Sequence, residues 1–187
     1  NPFGNRHLIP RGILREPLSS LRRAGIFVLT KSNLSPGLPD TKDFLSRLNP
    51  SAQVFESEHM RQGFYDSGKP QELLNTDILK TKTVTLISGI GDPDSFESLI
   101  RSLGITIGLS FKFPDHYYYT NEDLDNVIRS SKEKDIDTIV TTEKDMVRLC
   151  GLQVEGCALR VLVLRISLSI INDEQRFYNR LLKLYSL

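Results

Sequence analysis

From Lys82 onward, apolar runs rich in β-branched residues alternate with stretches of helical periodicity, and few folds accommodate that alternation. Runs at Thr83–Ser88, Ile105–Phe111, Thr138–Thr141 and Arg160–Ser167 predict four strands. Between the first two, Phe96, Leu99, Ile100 and Leu103 fall at i, i+3, i+4 and i+7. Asp92-Pro93 ahead of them supplies an N-cap and a first-turn proline. Leu124, Val127 and Ile128 follow Thr120-Asn121-Glu122-Asp123, a capping box with Asp in the Glu position. Thr142-Glu143-Lys144-Asp145 opens a third helix in the same way, and Asn172-Asp173-Glu174-Gln175 precedes Phe177, Leu181 and Leu184 in a last one. Right-handed crossovers between such units put helices on both faces of a mostly parallel sheet, so the expected class is a three-layer α/β/α fold.

The first 80 residues are less regular. They predict a short helix at Leu18–Arg23, a buried strand over residues 24–30 and a helix from Asp40 to Leu48 with Phe44, Leu45 and Leu48 on one face. Gln53 to Tyr65 alternates apolar and polar residues around an expected turn, and Asp66-Ser67-Gly68-Lys69-Pro70 is turn chemistry in a connecting ribbon. A domain boundary is expected near residue 80.

Composition narrows the functional classes. The 187 residues carry 24 Lys plus Arg against 23 Asp plus Glu, a net charge of +1, so no global field recruits nucleic acid and function must sit in local sites. No apolar run approaches a membrane span, and the start has no signal-peptide core, so membrane contact is expected to be peripheral. Cys150 and Cys157 match no zinc or disulfide spacing and are expected to be packing residues. The chain opens on Asn1-Pro2-Phe3-Gly4-Asn5 without Met, which leads to the expectation of a fragment of a longer protein.

Ligands of open parallel sheets bind beyond the carboxyl ends of the strands, which singles out three segments. Ser88-Gly89-Ile90-Gly91-Asp92-Pro93 is a glycine turn into a helix, either a tight structural turn or a cradle for an anion, and it lacks the third glycine of a dinucleotide fingerprint. Phe113-Pro114-Asp115-His116-Tyr117-Tyr118-Tyr119-Thr120 sets an Asp–His pair before three tyrosines. His116 can carry a proton near neutral pH and Asp115 can orient it, which makes the pair the best catalytic candidate; the bland alternative is a loop whose tyrosines pack under the next helix. A metal phosphoesterase built on the same pair is a further reading, although the chain has only three histidines. Thr142–Asp145 reads as a cap with an exposed charged first turn, or as a device bringing Glu143 or Lys144 to the edge that holds His116. At the amino-terminal side, residues 6–23 hold five arginines and one acid interleaved with Leu and Ile, a pattern suited to phosphate groups and acyl chains or to a plain solvated face.

Taken together, Asn1–Asn5, Leu8-Ile9-Pro10-Arg11-Gly12-Ile13-Leu14-Arg15-Glu16-Pro17, Gly89–Pro93, Phe113–His116 with Tyr119-Thr120, and Thr142–Asp145 resemble, in order and spacing, the tetraacyldisaccharide 4'-kinases, the lipid A 4'-kinases. The resemblance covers the chain to its last helix and implies the carboxyl-terminal portion of a two-domain, P-loop-kinase-like protein. It implies that residues 1–50 finish the nucleotide-binding domain, 51–81 form a β-ribbon linker and 82–187 form a second α/β domain. It implies an ATP-dependent lipid kinase using Mg²⁺, with the lipid A disaccharide precursor as acceptor, at the cytoplasmic face of the bacterial inner membrane, or in a mitochondrion if the source is a plant. Arg15, Glu16, Asn5 and Arg11 would bind substrate, Arg15 would also meet phosphate charge, and His116 with Asp115 would support the family's catalytic aspartate. Arg11 and Tyr117 depart from the family's usual small residue and second histidine. No Gly-x-x-x-x-Gly-Lys-Ser/Thr occurs in the 187 residues, nor the paired aspartates that hold Mg²⁺; both are expected upstream of Asn1, and the chain alone is expected to be inactive. The competing reading is a non-catalytic α/β module that binds anionic lipid or a partner.

Overall fold

The computed structural model describes residues 3–30, 32, 37–150, 152 and 159–185; Asn1, Pro2, Cys157 and the side chain of Leu184 lie outside them. The chain gathers into two compact units, Asn1–Met60 with Ser167–Leu187 and Arg61–Ile166. The last helix therefore groups with the amino-terminal residues.

In the first unit, a 3-10 turn at Leu18–Arg23 leads into β1 (Ile26–Leu29), and α1 (Leu38–Leu48) leads into β2 (Gln53–Asp66). β1 pairs parallel with the start of β2, Ile26 opposite Gln53. Asn49, buried after α1, ties the two connections together by donating from Nδ2 to the carbonyls of Leu21, Arg22 and Ala24. The closing helix α5 (Glu174–Tyr185) sets Phe177 edge-on against Phe55, with ring centres 5.2 Å apart.

The second unit carries the alternation foreseen after Lys82: β4 (Thr83–Ser88), α2 (Pro93–Ser102), β5 (Thr106–Lys112), α3 (Asn121–Glu133), β6 (Thr138–Thr142), α4 (Glu143–Leu149) and β7 (Arg160–Ile170). β5, β4, β6 and β7 lie side by side in that order, all parallel. Side chains alternate between two cores. Ile87, Ile139, Val161 and Val163 face α3 and α4 with Leu124, Val127 and Met146, whereas Val84, Leu86, Val140, Leu162 and Leu164 face α2 with Phe96 and Ile100. Burial on both faces is why β4, β6 and the first half of β7 read as continuous apolar runs, while the edge strand β5 is only half covered, and the helices on both faces make the unit three-layered as expected.

Two expectations need correction. No turn interrupts Gln53–Tyr65; the segment is one strand whose middle, His59–Gln62, is exposed while both ends are buried. Gly63 keeps it continuous at φ +146°, where an added Cβ would lie 2.5 Å from the Leu74 carbonyl oxygen of β3 (Leu73–Leu74). The turn comes after it: Asp66 accepts from Gly68 N through Oδ1 and from Lys69 N through its carbonyl, and β3 returns antiparallel with Phe64 opposite Leu74. Cys150 is exposed and not a packing residue, because it stands just past the buried end of α4.

Three of the four foreseen helix caps are seen, those of α2, α3 and α4. Asp92 accepts from Ser95 N, Thr120 and Asp123 form a reciprocal capping box, and Thr142 accepts from Asp145 N. Hydrogen bonds from the Thr120 hydroxyl hold the Asp123 carboxyl below its usual value. Thr120→Ala removes the hydroxyl half of that box, leaving only the bond from the residue 120 N–H to Asp123, and is expected to lower stability by about 1 kcal/mol, read as a shift of the urea midpoint without a change in slope.

Candidate functional site

The second unit gathers its polar residues at the carboxyl edge of β4, β5 and β6, and the centre of the gathering is Asp145. Its side chain is completely buried at the first turn of α4. Oδ1 accepts from Gly89 N at 3.1 Å and from the Tyr119 hydroxyl at 3.0 Å; Oδ2 accepts from the Thr142 hydroxyl at 2.7 Å. Arg148, one turn on, brings Nη1 to 3.5 Å from Oδ1, which compensates the buried charge. The reading of Thr142–Asp145 as an exposed charged turn is thus half right: Lys144 is exposed, Glu143 pairs with Arg165 at 2.9 Å, and Asp145 points inward.

That carboxylate explains the glycine turn. A Cβ at Gly89 would stand 2.8 Å from the Tyr119 hydroxyl and 3.2 Å from Asp145 Oδ1, so only glycine lets β4 end this close. Its N–H is already engaged by Asp145, and Ser95 N by Asp92, so these two donors serve the fold. Burial, followed by the neighbouring Asp145 charge, raises the Tyr119 phenol far above its ordinary value, so it acts as a fixed donor. The tyrosines divide by role. Tyr117 and Tyr119 stack around Phe113 with ring centres 4.8 and 5.1 Å away, while Tyr118 is 87% exposed.

Arg148 carries this framework to the surface. Its Nη1 also donates to the Gly89 carbonyl at 3.1 Å, and its Nη2 meets His116 Nδ1 at 3.2 Å. Guanidinium has no acceptor, so Nδ1 accepts and the imidazole proton of this tautomer resides on Nε2. His116 sits at φ +62° with 81% of its side chain exposed. Asp115 accepts from His116 N at 3.0 Å, but its other oxygen is 3.8 Å from Nε2, leaving that N–H available to an acceptor outside this cluster. Asp115 thus holds the backbone of His116 and not its ring, which Arg148 orients in place of the expected carboxylate; Arg148, Tyr119 and Asp145 as supports were missed. The i, i+3 spacing of Asp145 and Arg148 on one helix was the only available signal.

The remaining candidates lie in the first unit, in a tight loop. Asn5 donates to the Arg11 carbonyl at 2.9 Å and accepts from His7 N at 3.2 Å, and Ile9 N and Leu14 N bond across to Leu14 O and His7 O. A Cβ at Gly12 would fall 2.2 Å from the His7 carbonyl oxygen, which makes glycine obligatory there. Arg11 and Arg15 project from this loop exposed, as do Ile9 and Ile13, and Glu16 pairs with Arg23. Among the described residues no group of three or more His, Cys, Asp or Glu side chains could hold a metal ion, and no helix is long and apolar enough to cross a membrane. Among the described residues no carboxylate cluster would hold Mg²⁺ beside a nucleotide.

The doubly covered parallel sheet is consistent with a P-loop-kinase-like α/β fold, and comparison with known proteins supports that class. A structure of LpxK from Aquifex aeolicus, described as an "apo" form in complex with ATP, superposes with a TM-score of 0.62 at 26% identity, covering 94% of this chain and 49% of that one. The family model described as tetraacyldisaccharide-1-P 4'-kinase matches residues 1–186. The chain belongs to that family, the lipid A 4'-kinases. The tetraacyldisaccharide 4'-kinase of Anaeromyxobacter sp. (strain K) is 35% identical over 174 residues, 91% of this chain and 45% of that protein. The one from Halothermothrix orenii is 35% identical over 157 residues, 79% and 41%. The chain thus spans about half the length of the curated relatives it matches. Family membership removes the metal phosphoesterase reading.

Asp145→Ala would leave Gly89 N–H, two hydroxyls and Arg148 without their shared acceptor, and is expected to destabilise by about 3–5 kcal/mol, whereas Lys144→Ala should stay within about 0.5 kcal/mol. The raised Tyr119 pKa gives a second expectation. Its stabilising contribution is complete below the unfolded-state value of about 10 and is lost as pH rises beyond it, so unfolding free energy should fall from pH 9 to 11 more steeply in the wild type than in Tyr119→Phe.

Proposed function

We propose that this chain is the acceptor-side portion of a lipid A 4'-kinase, which transfers the γ-phosphate of ATP, with Mg²⁺, to the 4'-hydroxyl of a tetraacylated glucosamine disaccharide. The observation that carries the proposal is His116 on its Arg148 support, with Nε2–H free at the carboxyl edge of the sheet. Phosphoryl transfer needs positioning and charge neutralisation more than covalent chemistry. In this reading His116 donates from Nε2 to the carboxylate that takes the acceptor hydroxyl's proton, and Asp115 fixes the loop from which it does so. Arg15 neutralises developing phosphate charge, while Asn5, Arg11 and Glu16 shape the loop that meets the disaccharide. Exposed Ile9 and Ile13 beside those arginines support a peripheral contact with the acyl chains at a membrane surface, placed at the cytoplasmic face of the bacterial inner membrane, or in a mitochondrion for a plant source. As domains, residues 1–50 complete a nucleotide-binding domain, 51–81 link, and 82–187 form the second α/β domain, although the closing helix α5 groups with the amino-terminal residues. ATP and Mg²⁺ are held by a P-loop and aspartates that the 187 residues do not contain, so the chain acts together with a segment bearing them.

The test joins this chain to the P-loop half of a relative and follows phosphate transfer to the disaccharide. The fusion should turn over and the 187-residue chain alone should not. In the fusion, His116→Ala should lower kcat by about 10²-fold or more, and Arg15→Ala should lower kcat/KM by about 10²-fold. Unchanged turnover would remove either residue from the chemistry, and a folded but inactive fusion would return the chain to the non-catalytic module.

A further inference from the structure

A second polar site lies in the first unit, at the amino ends of parallel strands β1 and β2, opposite the end where ligands of such sheets ordinarily bind. A concavity there is lined by Gln53, the first residue of β2, and by Gln175, Arg176, Asn179, Arg180 and Lys183 of α5. Arg176, Arg180 and Lys183 recur at i, i+4 and i+7, so α5 turns one cationic stripe toward the concavity while Phe177 packs on Phe55. Asp173 also lines it and reaches Arg176 at 3.7 Å, which leaves a formal excess of two positive charges.

The concavity holds unanswered hydrogen-bonding capacity. Arg180 reaches over Gly25, where an added Cβ would sit 3.6 Å from its Nη2, and Gln53 N donates to the Gly25 carbonyl at 3.3 Å. Arg180 Nε and Gln53 Oε1 are both buried, and neither has a hydrogen-bond partner among the described residues. A buried polar atom left unpaired costs about 1–3 kcal/mol, and both atoms belong to side chains that line the same concavity, which favours a ligand there over coincidence. An anion answers both: it accepts from Arg180 Nε, and turning the Gln53 amide presents Nε2 donors in place of Oε1. The guanidinium fork beside a lysine favours tetrahedral phosphate oxygens.

We propose that this concavity is a phosphate-binding site, separate from the His116 site and independent of the function proposed above. The ligand chemistry is a phosphate group, whether on a free phosphorylated compound or in an anionic phospholipid headgroup. Titration of the 187-residue chain with inorganic phosphate in a calorimeter should show saturable binding, and Arg180→Gln should weaken it by at least about tenfold, one charge-assisted hydrogen bond. Because Arg180 is partly buried, the exposed pair Arg176→Gln/Lys183→Gln repeats the test without touching packing. Flotation with phosphatidylcholine vesicles containing phosphatidylglycerol distinguishes the sources. Vesicle binding weakened by the same substitutions assigns a lipid headgroup, and vesicle binding unchanged while phosphate binding falls assigns a free phosphate compound. Phosphate binding that is absent, or equal in wild type and in both folded variants, overturns the site.

Discussion

One carboxylate, that of Asp145, holds the carboxyl edge of the second unit together. It is completely buried, and a buried charge is stable only when its lone pairs are filled. Three donors from three elements fill them: the backbone at the end of β4, the phenol before α3 and the hydroxyl that caps α4. The carboxylate thereby fixes where three loops of a parallel sheet converge, the region where such sheets place their ligands.

Arg148 translates that buried arrangement into a surface property. It balances Asp145, grips the Gly89 carbonyl and sets the tautomer of His116. An exposed histidine at positive φ would otherwise be free to rotate, and proton transfer is sensitive to which ring nitrogen carries hydrogen. Order at the candidate site thus comes from beneath it, and the exposed histidine itself packs little. The amino-terminal loop follows the same logic with different means. Asn5 and the crossed backbone bonds of His7, Ile9 and Leu14 shape it, leaving Arg11 and Arg15 outside.

Much of this was legible before any coordinates. Strand Thr83–Ser88 was placed to the residue, because both its ends are marked and every second side chain faces one of two cores. The caps at Asp92, Thr120 and Thr142 were legible because capping is a local interaction spanning three residues. His116 and Asp115 were found from chemistry and position along the chain. Asp145 was misjudged because a capping carboxylate is usually solvated, and nothing within three residues reports that Gly89 and Tyr119 come to cover it. The turn expected within Gln53–Tyr65 failed for a related reason: exposed residues in mid-strand imitate a loop when partners at either end are unknown.

The sequence alone determined the alternating α/β class, the helix starts, the family and the identity of the candidate chemical groups. Those features depend on periodicity and on contacts within a few residues, which one-dimensional order records. The tertiary structure decided which groups meet: that residues 56 positions apart, Gly89 and Asp145, share a hydrogen bond, that Arg148 supports His116, and that α5 closes against the amino-terminal strands with a cationic stripe over Gln53. Such pairings are fixed by how buried charge and unpaired polar atoms find partners in a packed interior, and chain order does not encode those distances.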